Sequence, residues 1–133
     1  MLKAYSNLIL VLFALLSVSL GCLGPASDSQ CEGVVKSNGK TYIGAAKYEN
    51  QAGLNACNKF CLEEDKEFKT MYEDWLTSDR AKAFEKTYKR KPTKEDAIME
   101  EKRLLDYVTK NCAVRCQSEA NKGKHTLETS CKK

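Results

Sequence analysis

Apolar positions along the chain change period twice, and each change marks an element. Val34 and Val35 precede Asn38-Gly39, and Thr41, Tyr42 and Ile43 follow it. An Asn-Gly pair between β-formers predicts a tight hairpin, because both residues tolerate positive φ. From about residue 51 the spacing becomes helical. Leu54, Cys57, Cys61, Phe68, Met71, Tyr72 and Trp75 recur at three, four and seven, with Glu63, Glu64, Asp65, Lys66, Glu67 and Lys69 mostly on the other faces. Ser78 is placed to cap a short second helix carrying Ala81, Phe84 and Tyr88. Thr93, with Asp96 three residues later, resembles a capping box. It opens a third helix through Ile98, Leu104, Leu105, Val108, Cys112 and Cys116, fading near Gly123. The polar tail beyond Lys122 reads as loose apart from Cys131.

A different pattern precedes all of this. Lys3 is followed by an unbroken apolar run from Leu8 to Leu16 and then by small residues from Ser17 to Gly21. The run is too short to cross a bilayer and has the layout of a secretory signal peptide. Residues 1–26 are therefore read as a signal peptide and 27–133 as a single disulfide-rich helical domain, secreted and not membrane-spanning. Cleavage after Ala26 removes Cys22 and leaves an even set of six cysteines, which suits an oxidising compartment; cleavage after Gly21 leaves Cys22 as an odd thiol.

Six cysteines allow fifteen pairings, and the helical pattern selects among them. Cys57 and Cys61 share one helical face, as do Cys112 and Cys116. Two antiparallel helices joined by Cys57–Cys116 and Cys61–Cys112 have residue numbers that sum to 173 at both rungs. The same sum pairs Phe68 with Leu105 and Trp75 with Ile98, although the apolar residues did not set it. Cys31 and Cys131 are left to each other. The expected fold is mainly α: a disulfide-stapled antiparallel helical hairpin with a short third helix at its tip and a small N-terminal β-hairpin. Zinc is disfavoured, because its cysteine pairs usually have two residues between them and are usually intracellular. No metal or other cofactor is expected.

The double Cys-x3-Cys arrangement, Cys57 to Cys61 and Cys112 to Cys116, resembles the cysteine-stabilised helical hairpins called α-hairpinins. That group includes channel toxins, plant trypsin inhibitors and antimicrobial peptides, so the likeness implies a fold and leaves the activity open. Here 50 residues separate the two pairs, far more than in those peptides. Ser37-Asn38-Gly39-Lys40-Thr41-Tyr42 is similar to the central stretch of Kazal-type protease inhibitors, but Val35 and Ala46 stand where that family has cysteines. The pair Cys57 and Cys61 is also similar to one in insect odorant-binding proteins, whose later cysteines are more widely spaced than Cys112 and Cys116.

Catalytic chemistry finds little to work with. The single histidine, His125, lies in the polar tail and reads as a surface residue. Serine-hydrolase elbows, zinc-protease helices and phosphate-cradling loops are missing from the sequence. The acid pairs Glu63-Glu64 and Glu100-Glu101 read as solvated charge. The chain is not expected to be an enzyme.

Charge adds the last feature. The whole chain carries +4, and the part after residue 26, which loses only Lys3, carries +3. Between Arg80 and Lys94 seven cations (Arg80, Lys82, Lys86, Lys89, Arg90, Lys91 and Lys94) face the single acid Glu85, so the remainder sums to −3. The bland reading is a solvated helix with Phe84 and Tyr88 packed inward. The sharper one makes Lys82, Lys86, Lys89, Arg90, Lys91 and Lys94 a docking tip for an extracellular target such as a channel or receptor, or for an anionic surface; nucleic acid is not expected. The leading expectation is a secreted recognition protein of the toxin or effector type. A carrier of a small hydrophobic ligand, lined by Phe68, Met71, Trp75, Leu104 and Val108, and a protease inhibitor are the alternatives.

Overall fold

The computed structural model describes residues 30–132; the signal-peptide reading of residues 1–26 and the fate of Cys22 lie outside them. Strands β1 (Cys31–Ser37) and β2 (Lys40–Ala46) lead into helices α1 (Glu49–Glu64), α2 (Lys66–Leu76), α3 (Asp79–Tyr88), α4 (Lys94–Glu100) and α5 (Lys102–Asp106). A π-helical turn (Tyr107–Cys112), helix α6 (Ala113–Asn121) and strand β3 (Thr126–Cys131) complete the chain. The protein is mainly helical, with one antiparallel sheet in the order β2-β1-β3 and three disulfides.

The β1–β2 turn is built by Asn38 (φ 50°) and Gly39 (φ 76°), both in the left-handed region. The ribbon gains a third strand that the polarity of the tail concealed. Thr126 to Cys131 pairs along β1, with Val35 opposite Leu127 and Cys31 opposite Cys131. The tail is therefore an edge strand: Thr126 and Thr129 have good strand propensity, and its polar residues face water.

One face of the sheet lies on α1 with little between them. Gly33 and Gly44 are register partners in β1 and β2. A Cβ on Gly33 would stand 2.4 Å from the Ala52 carbonyl oxygen, and one on Gly44 would stand 2.1 Å from the Ala56 main-chain nitrogen. Facing them, α1 offers small residues: Ala52 and Ala56 are fully buried, and Gly53 is buried beside them. This close approach lets Val35, Tyr42, Ala56, Cys57, Ala113 and Cys116 form one apolar cluster.

The second cluster holds Phe68, Trp75, Ala81, Ala97, Leu104, Tyr107 and Val108 together with Cys61 and Cys112. Its details depart from a continuous pair of helices. The first arm breaks at Asp65 (φ −78°, ψ 119°), whose N–H caps α1 through the Cys61 carbonyl (3.2 Å) and whose carboxylate caps α2 through the Phe68 N–H (2.8 Å). The second arm breaks at Glu101 (φ −124°, ψ 104°), whose carboxylate accepts from the Arg103 N–H (3.2 Å). Downstream, the π-helical turn uses one residue more per turn than an α-helix would. Counting back from Cys112, the core position therefore falls at fully buried Leu104, while Leu105 is 39% exposed. The constant-sum register thus fails at Phe68 and Leu105.

Local caps follow the sequence more closely. Ser78 accepts from the Ala81 N–H (3.2 Å), and Thr93 with Asp96 forms a reciprocal capping box. Gly123 (φ 76°) ends α6, with its N–H on the Ala120 carbonyl (2.9 Å) and the Lys124 N–H on the Glu119 carbonyl (3.0 Å). These two bonds are a Schellman closure.

The glycine contact generates a prediction. Gly44→Ala drives a methyl group into the α1 backbone and should cost about 3 kcal/mol or more. Gly39→Ala meets no atom within 4 Å and loses only its freedom at positive φ, about 1 kcal/mol. Urea unfolding of both variants checks the order; equal losses would refute the close-packing account.

Candidate functional site

The cationic residues picked out in the sequence gather on α3, on the five-residue connection Lys89 to Thr93 and at the first residue of α4, Lys94. Helix α3 ends at Lys89, a lysine in the left-handed region (φ 55°, ψ 28°) whose N–H bonds to the Glu85 carbonyl (2.9 Å). That reversal sends Arg90 back over the helix. The Arg90 guanidinium lies 5.1 Å from the centroid of Phe84, which is buried, and forms a two-pronged pair with Asp96. Asp96 also accepts from the Thr93 N–H (2.7 Å). The Asp96 carboxyl is held well below the usual carboxylate range, first by Arg90 and then by the Thr93 main chain. Pro92 is buried, and its carbonyl accepts from the Tyr72 hydroxyl (2.7 Å).

The cations therefore divide into two groups. Arg90 is committed to Asp96, Lys94 to Glu63 (3.2 Å), Lys82 more distantly to Asp79 (3.8 Å) and Arg80 to Glu101 (3.7 Å). Lys86, Lys89 and Lys91 are exposed, and no carboxylate among the described residues forms an ion pair with them. Tyr88, the last residue of α3, is 59% exposed, its ring 4.4 Å from that of Phe84. Only Phe84 of the two aromatics packs inward. The segment thus exposes three ammonium groups without carboxylate partners and one phenol, on α3 and the turn after it, where Arg90 pairs with Asp96.

Elsewhere the structure relocates several residues. His125 is half-buried: its Nε2–H donates to the Cys116 carbonyl (2.9 Å), and its ring lies 5.2 Å from Phe60. It adds a second donor to a carbonyl of α6, so it packs on the helix rather than standing free on the surface. Glu64 is likewise not simply solvated charge. It accepts from Lys40 (2.7 Å) and from the Tyr42 hydroxyl, and these bonds lower its pKa. Burial and the Glu64 bond push Tyr42 up to about 12. Glu101 is a helix cap. A fourth network sits at the α1–α2 break. Tyr107 donates between Asp65 (2.9 Å) and Glu67 (3.0 Å), and Arg115 pairs with Asp65. Burial is the main cause that raises the Tyr107 phenol to about 12. Each of these carboxylates is already matched within the fold, so the networks read as structural.

The cysteines proposed as bridge partners meet as Cys31–Cys131, Cys57–Cys116 and Cys61–Cys112, and three such intramolecular bridges are compatible with an extracellular protein. Among the described residues no helix is long and apolar enough to cross a membrane, and no group of His, Cys, Asp or Glu is arranged to hold a metal ion. Fold and bridges together define a class: a disulfide-stapled, mainly helical protein with a small antiparallel sheet. Beyond that class, neither a family model, a curated protein nor a solved structure matches the chain.

The Arg90–Asp96 pair has a pH signature. A carboxyl whose folded pKa is depressed adds stability above its unfolded pKa, about 4, and loses it as pH falls towards the folded value. Asp96→Asn should therefore make the acid limb of thermal stability shallower below about pH 4. It should not flatten that limb, because Glu64, Asp106 and Glu119 are also held low by lysine partners. Melting temperatures across an acid pH series decide it; an unchanged slope would show that the pair contributes nothing.

Proposed function

We propose that this chain is a secreted, non-enzymatic recognition protein of the toxin or effector type, docking through the basic tip onto an acidic extracellular protein such as a channel or receptor. The observation that carries this reading is the division among the cations. Lys86, Lys89 and Lys91 are left without carboxylate partners on the segment that also exposes Tyr88, while Arg90 pairs with Asp96. Unpaired ammonium groups raise the encounter rate with an acidic partner and make binding salt-sensitive. An exposed tyrosine adds a rigid amphipathic anchor of the kind that concentrates binding energy in interfaces. The signal-peptide pattern of residues 1–26 and the three bridges support export to an oxidising compartment.

Nothing comparable favours a ligand carrier. Phe68, Leu104 and Val108, which such a cavity would have to expose, have no accessible surface. The Kazal-like stretch Ser37 to Tyr42 spans a two-residue hairpin turn and the strand ends beside it, and Tyr42 points into the core.

The test is binding of the disulfide-intact protein to cells bearing candidate targets, at low and high salt. Replacing Lys86, Lys89 and Lys91 by Ser should weaken saturable binding about tenfold or more and remove most of its salt dependence. Tyr88→Ala should weaken it with the salt dependence kept. Binding that survives the triple replacement unchanged would rule out this surface as the docking site.

A further inference from the structure

We propose that the connection between α3 and α4 is a processing site for a serine endoprotease specific for paired basic residues, and that cutting after Arg90 converts the protein into two chains held by three disulfides. The inference stands independently of what the basic tip binds.

Lys89, Arg90 and Lys91 are consecutive basic residues outside any helix or strand, and all three are exposed. A protease binds its substrate as an extended strand through main-chain hydrogen bonds, so the scissile segment needs free N–H groups. Among the described residues, the main-chain N–H groups of Arg90 and Lys91 make no internal hydrogen bond. The Arg90 side chain must leave Asp96 and Phe84 to enter a specificity pocket; it is itself 51% exposed, while Asp96 is 21% exposed. Lys89 also occupies a left-handed conformation that a lysine adopts at some cost, so opening the turn relieves strain.

The other adjacent basic pair among the described residues before the tail, Lys102-Arg103, has the opposite setting. It lies in α5, where Glu101 accepts from the Arg103 N–H (3.2 Å) and the main chain is helical. The structure thus separates two similar dipeptides by backbone accessibility.

The bridges determine what a cut would produce. Cys31, Cys57 and Cys61 all precede the connection, and their partners Cys131, Cys116 and Cys112 all follow it. Hydrolysis adds one water across the Arg90–Lys91 peptide bond, leaving a carboxylate on Arg90 and an ammonium on Lys91. No bridge lies within either product, so all three become interchain links. The cut falls inside the segment between Cys61 and Cys112, outside the braced α1–α6 contact and the sheet.

The experiment exposes the folded, unreduced protein to a paired-basic-specific serine endoprotease, with mass and N-terminal sequence read before and after reduction. The expected product is one species heavier by one water when unreduced, which reduction splits into two chains, the second beginning at Lys91. Lys89→Gln and Arg90→Gln, each checked for retained helicity, should slow this cut about tenfold or more, because cleavage tracks both recognition and local opening. Lys102→Gln should leave it unchanged. A first cut after Arg103, no cut in a protein that is cleaved once reduced, or an unreduced product that falls apart would each overturn the proposal.

Discussion

Cys57 and Cys61 stand one turn apart on α1, and their bridges reach Cys116 and Cys112 in the reverse order. Two rungs in that order fix both the spacing and the antiparallel direction of the two segments, with Cα separations of 5.8 and 6.0 Å. Each rung enters a different apolar cluster: Cys57–Cys116 the one beneath the sheet, Cys61–Cys112 the one around Phe68 and Leu104. The bridges close stretches of 59 and 51 residues, for which chain entropy alone gives about 4 kcal/mol each, less where the loops nest. The sheet then depends on the same helix. The apolar face of the sheet must be buried against another element, and α1 supplies it by bringing Ala52 and Ala56 against Gly33 and Gly44.

Much of this was legible because it rests on local rules. The Asn38-Gly39 turn, the Ser78 cap, the Thr93–Asp96 box and the Gly123 closure each depend on residues within a few positions of one another. What escaped depends on events that periodicity cannot register. Asp65 and Glu101 end helices while leaving the apolar spacing almost undisturbed, because an acidic side chain caps the next helix without a gap in the pattern. The π-helical turn moves the core position from Leu105 to Leu104, and both are leucine, so composition was silent. Strand β3 escaped because an edge strand outside the core shows little apolar alternation. The Gly33–Gly44 pair with Ala52 and Ala56 was visible as small residues, but only their apposition gives them meaning.

The basic segment was legible as charge and not as geometry. Sequence counts seven cations between Arg80 and Lys94; the fold commits four of them, with Lys94 reaching Glu63 across 31 positions of sequence. That distance is why the cluster cannot be sorted by inspection. Arg90 and Lys91 are neighbours of the same sign, yet one is paired with Asp96 and the other is unpaired. The distinction arises at Lys89, where a left-handed residue turns the chain so that Arg90 returns over Phe84.

Covalent bracing is distributed unevenly. The sheet, α1, the end of the π-helical turn and α6 carry all three bridges, whereas α2 through α5 are held by apolar packing, caps and exposed ion pairs. Exposed ion pairs contribute little each, so the order of the α3–α4 connection rests mainly on Phe84, Ala81 and buried Pro92. A surface presented by such a segment can change its charges at small cost to the fold, because no core residue or bridge moves with Lys86, Lys89 or Lys91. The braced part, by contrast, tolerates little: a single methyl group at Gly44 collides with the backbone of the helix that carries both rungs. Stability and presentation therefore sit on different residues, and a variant that alters one need not alter the other.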